Sequence, residues 1–79
     1  MKVPAIRKLL KVDIEVLRRA EEDLAEERSP EIEIEGADEG EKLTHVFGAI
    51  WIQEQVASGA MNEKEALRAF MDKVRTSIS

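Results

Sequence analysis

Seventy-nine residues are enough for one domain, but a chain this short buries too little surface to be stable by a wide margin. It has no cysteine, so disulfides add nothing. The net charge of −5 argues against a general nucleic-acid binder, whose phosphate contacts need a positive face. With no cofactor expected, association is the remaining route to extra stability, and the composition predicts a homo-oligomer, most simply a dimer.

The charge is unevenly placed. Residues 1–19 carry six basic side chains (Lys2, Arg7, Lys8, Lys11, Arg18, Arg19) and two acidic ones, whereas residues 20–41 carry eleven acidic and one basic, Arg28. Such a split suits head-to-tail pairing of like chains. It suits a solvated surface equally well. The basic patch lacks interleaved aromatics and is short for an amphipathic membrane anchor. No apolar leader with a small-residue cleavage site follows Lys2, and the absence of cysteine fits a reducing compartment. The expectation is a cytoplasmic protein with neither a membrane nor a nucleic acid among its partners.

In chain order, Pro4 suits the first turn of a helix, and Ile6, Leu9 and Leu10 make a short amphipathic turn or two. Asp13 is placed as an N-cap for a cleaner helix with the stripe Val16, Leu17, Ala20 and Leu24. The two pieces can also be read as one kinked helix. Ser29 before Pro30 predicts a stop near Arg28. Residues 31–35 read EIEIE, a period-two alternation that points Ile32 and Ile34 inward and three glutamates outward. No second strand pattern exists to pair with it. Like-charge repulsion disfavours pairing with its own copy, so an extended acidic segment over the helices is expected.

Gly36–Gly40 is a turn, after which Asp38 and Glu41 resemble a capping box. The helix that follows, ending at Gly59, lies within the most apolar run of the chain, Leu43–Met61. At about 100° per residue, Leu43, Val46, Phe47, Ile50, Ala57 and Met61 share one face, with Trp51 at its edge. Ala49, Ile52, Val56 and Ala60 form a second, and Thr44, Gly48 and Gln55 leave only a narrow polar sector. A helix apolar on two faces is buried on two faces, and a second copy of the chain is one way to cover the second. His45, Gln53, Glu54 and Gln55 interrupt the run too often for a membrane span. Asn62 with Glu65 opens a last helix with the stripe Leu67, Phe70, Met71 and Val74, extended by Ile78. The fold expected is mainly α: one small three-helix domain over residues 1–79, packed around Phe47 and Ile50. A short N-terminal helical turn and the acidic segment at about 31–35 complete it.

The sequence names no chemistry. Glu41 precedes His45 by four residues, so on a helix the carboxylate can touch the imidazole, the geometry of a general base or a metal's outer shell. No serine, cysteine or second histidine completes a triad, and a local ion pair explains the same residues. Glu33, Glu35, Asp38, Glu39 and Glu41 offer oxygen ligands for a divalent cation without the calcium-loop spacing. Phe47, Trp51 and Met61 are first of all core, and secondarily a ligand groove. The interface residues expected are Phe47, Ile50, Trp51, Ile52 and Val56. Three readings of function follow: a non-catalytic interaction or adaptor protein acting as a homo-oligomer, a small enzyme or metal-binding domain built on His45 and Glu41, and an acidic regulator of a basic partner through residues 20–41.

Overall fold

The computed structural model describes residues 2–78, with side chains described up to Arg75; the Ile78 side chain, expected to extend the last stripe, lies outside the described residues. The described residues form helices α1 (Val3–Leu9), α2 (Ile14–Ala25), α3 (Glu39–Ala57) and α4 (Glu63–Ile78), with no strand among them. The mainly α architecture is therefore as expected, three longer helices and one short N-terminal helix.

A seven-residue helix is unstable alone, so α1 persists because Ala5, Ile6 and Leu9 are buried against the rest. A turn separates it from α2, so the two are distinct helices and not one kinked one. Asp13 caps α2 by accepting the Glu15 N–H at 2.8 Å, and the helix buries Leu17, Ala20 and Leu24. It ends at Ala25, short of Arg28. Glu27 turns left-handed (φ 60°), which lets the Arg28 N–H reach the Asp23 carbonyl at 2.7 Å and the Glu27 N–H reach that of Leu24 at 3.1 Å. This is the double closure usually built on glycine, and here it precedes the proline signal by several residues.

Residues 31–37 are irregular, yet the alternation sets their sides: Ile34 is buried, Ile32 half-buried, and Glu31, Glu33 and Glu35 face solvent. Asp38 caps α3 through the Glu41 N–H at 2.8 Å. At the other end Gly59 takes φ 78°, and the Ala60 N–H closes on the Gln55 carbonyl at 3.1 Å. Asn62 and Glu65 form a reciprocal box that starts α4, with side-chain-to-backbone bonds of 2.8 and 3.2 Å.

Helix α3 is the hub, and the extensive helix–helix contacts are all with it. On one side Leu17, Ala20 and Leu24 of α2, with Ile34, pack on Val46, Ala49 and Ile50. On another, Ile6 of α1 joins Ala66, Leu67 and Phe70 of α4 around Ile52. Arg18 pairs with Glu54 at 3.2 Å while Ala25 lies by Leu43, so α2 runs antiparallel to α3. The short link after Gly59 folds α4 back antiparallel as well. Fully burying each large aliphatic side chain contributes about 1.5–3 kcal/mol, and Ile6, Leu17 and Ile52 are among the most enclosed.

Of the second apolar face of α3, Ala49 and Ile52 are buried within the single chain, whereas Val56 and Ala60 are exposed. Two expectations about α3 are corrected. Gly48, assigned to the polar sector, is buried under the Phe70 ring; a Cβ there would stand 2.7 Å from Phe70 Cζ. Conversely Phe47, expected at the centre of the core, is 54% exposed. α4 docks where glycine leaves a notch, and Phe47 falls in the gap between α4 and α2.

Replacing Gly48 by alanine should therefore overpack the α3–α4 contact and lower the unfolding free energy by about 1–3 kcal/mol. Glu27→Gly should raise it by about 1 kcal/mol, since the left-handed conformation then carries no Cβ penalty. Urea unfolding of the two variants against the parent checks both signs.

Candidate functional site

His45 is wholly enclosed, with 0% of its surface exposed. Its Nδ1 lies 2.8 Å from the Glu35 carbonyl, and its Nε2 accepts the Lys2 backbone N–H at 2.9 Å. A carbonyl only accepts, so Nδ1 must carry the hydrogen and Nε2 the lone pair. The neutral ring in this tautomer satisfies both neighbours and has no nitrogen left for a substrate or a metal. It joins the start of α1, the 31–37 segment and α3 at one point.

Glu41 does not orient this ring. Its Oε1 accepts the Ala37 N–H at 2.8 Å, and that bond, first among several favourable contacts, holds its carboxyl below the usual carboxylate range. The expected Glu41–His45 dyad is thus replaced by two separate backbone contacts. Both side chains serve backbone groups that the helix starts and the irregular segment leave unpaired, which a wheel diagram of α3 cannot display.

Of the other acidic residues considered as metal ligands, Glu35 and Asp38 are similarly occupied, while Glu33 and Glu39 are exposed. Glu35 pairs with Lys8 at 2.8 Å, a contact that lowers the carboxyl's pKa and raises that of the ammonium. Asp38 is the α3 cap, and Glu39 lies exposed in the first turn, at the positive end of the helix dipole. Among the described residues no three histidine, cysteine or acidic side chains gather where they could hold a metal ion.

One polar residue carries a role that the sequence did not reveal. Gln53 Nε2 donates to the Val12 carbonyl at 2.8 Å and approaches those of Leu9 and Leu10 at 3.4 Å, closing the C-terminal end of α1. His45 and Gln53 stand eight residues apart on α3, about 12 Å of rise, and α1 spans about 10 Å. A single helix thus pins both ends of α1, which runs parallel to it.

The open side of α3 is a groove of ≈ 800 Å³ between α2 and α4. Leu43, Phe47 and Trp51 supply its floor, Phe70 and Val74 its α4 wall, and Glu21 and Ala25 its α2 wall. Phe47 and Trp51 each lie 6.3 Å, centroid to centroid, from Phe70, and Lys73 Nζ sits 4.6 Å above the Trp51 ring. A smaller hollow of ≈ 390 Å³ adjoins it on the far side of Phe47, toward Arg18 and Glu54. Of the five residues expected at an interface, Phe47 (54%) and Val56 (42%) are exposed and Trp51 is half-buried. Ile50 and Ile52 are in the core of the single chain. Val56 is remote from the groove, in a shallow cleft with Leu10 and Glu63, and Met61 packs on the Ile52 cluster and not beside Phe47.

A family model matches the chain over residues 1–79. The chain belongs to DUF6952, a family of unknown function. No curated protein and no solved structure matches it. Among the described residues of this DUF6952 member no helix is long and apolar enough to cross a membrane.

Substituting His45 by leucine should cost roughly 2–5 kcal/mol, because it leaves the Lys2 N–H and the Glu35 carbonyl unpaired in a buried site. Long-range ¹H–¹⁵N spectra of the imidazole should show the Nδ1–H tautomer alone in the native protein. For Glu41, a lowered folded pKa means that its contribution is present above the usual carboxylate range and is lost as pH falls through the lowered value. Glu41→Gln should accordingly flatten the acid limb of a stability–pH profile while leaving its shape at neutral pH unchanged.

Proposed function

We propose that this chain is a small non-catalytic interaction protein whose working surface is the Phe47 groove. The observation that carries this reading is Phe47 itself, 54% exposed on a continuous apolar floor with Leu43 and Trp51. Single exposed apolar residues are ordinary, whereas a recessed, contiguous apolar surface rimmed by charge is the usual form of a binding site. Both ring nitrogens of His45 are engaged by backbone groups and Glu41 accepts the Ala37 N–H, so this pair lends no support to a catalytic reading. The acidic outer face of α2 lies along one edge of the same groove, so it contributes to the surface and needs no separate role as a regulator. A cytoplasmic setting accords with the lack of cysteine.

A photo-crosslinking amino acid at position 47, introduced in native cells, should give covalent adducts with protein. The same group at Lys64, on an exposed part of α4 outside the groove, should give few. Equal yields at the two positions, or none at position 47, would refute the reading.

A further inference from the structure

We infer that the occupant of the Phe47 groove is a second copy of this chain, related by a two-fold axis that runs parallel to α3 above Phe47. The inference rests on the interaction reading above and adds to it the partner and the geometry. The two walls of the groove are oppositely charged at one level: Glu21 projects from α2, and Lys73 projects from α4 over Trp51. Both walls run antiparallel to α3. A two-fold parallel to α3 therefore lays each copy's α2 along the partner's α4, with Glu21 facing Lys73 twice over and the two Phe47 rings meeting at the axis. A two-fold perpendicular to α3 in the same plane would instead set Glu21 against Glu21 and Lys73 against Lys73, and like charges across an interface are costly.

Size agrees with this arrangement. The molecule measures 32 × 30 × 19 Å, so one broad face offers the roughly 800 Å² per partner of a standard interface. An isologous pairing also closes on itself, so the exposed apolar floor does not propagate into a filament.

Sedimentation equilibrium from low to high micromolar concentration tests the inference. The parent chain should form a dimer, and Phe47→Asp should be a folded monomer by circular dichroism. Glu21→Lys and Lys73→Glu should each raise the dimer Kd by about tenfold or more, since each sets two like-charge contacts in place of two attractive ones. The double variant should return most of that loss. A parent chain that stays monomeric at high micromolar concentration overturns the dimer. If position 47 still crosslinks to another protein in cells, the interaction reading survives that result. A dimer indifferent to Phe47→Asp places the interface elsewhere, and a double variant no tighter than the singles rejects the axis; either result overturns the inference.

Discussion

The contact of the Phe70 ring with the bare backbone at Gly48 sets the geometry of the molecule. A helix presents a limited circumference, and on α3 that circumference is divided among α1, α2, α4 and solvent. Gly48 offers a notch that admits a whole aromatic ring, so α4 approaches there and its Ala66 and Leu67 close over Ile52. With α2 held on the opposite flank by Val46, Ala49 and Ile50, the arc containing Phe47 is left between them. A side chain at position 48 would push α4 outward, and the width of the groove would change with it.

The second constraint is polar. Helix α1 is too short to hold its own ends, and its orphan donor and carbonyls would be costly in a buried setting. His45 accepts the Lys2 N–H at one end, and Gln53 donates to the last carbonyls at the other. Apolar contacts through Ile6 and Leu9 favour α1 packed on the core, but such contacts have little directionality. The two hydrogen-bonding side chains fix its sense and register. The Glu35 carbonyl extends the same node to the irregular segment, which has no ladder of its own to hold it.

What was legible in the sequence was local. Asp13, Asp38, Asn62 and Gly59 announced helix ends because capping depends on neighbours within a few residues, and each does the expected work. Ile32 and Ile34 likewise betrayed their sides by alternation. The failures were non-local. Hydropathy treats Gly48 as indifferent, while its value lies in the missing side chain, which matters only once Phe70 arrives. His45 has Glu41 as its neighbour one turn away on the helix, yet its partners are backbone atoms at residues 2 and 35. No local pattern of residue types reports on backbone partners this far away in the chain. The left-handed turn at Glu27 was hidden for a different reason: glutamate is a poor residue for it, so the earlier closure carried no signal.

Phe47 belongs partly to the fold and partly to the surface. Folding alone does not require an aromatic there. Its tilted contact with Phe70 at 6.3 Å contributes about 0.5–1.5 kcal/mol, and half of its surface still faces water. A medium-sized polar residue would lose that modest contact and remove an exposed apolar surface. The core residues Val46, Ala49, Ile50 and Ile52 have no such latitude, since each is enclosed. The apolar character of position 47 is therefore not dictated by the packing of the single chain. The gap left by three helices around a fourth is a consequence of geometry; lining that gap with Leu43, Phe47 and Trp51 is a separate property of the sequence, and it makes the open side of α3 a surface suited to burial.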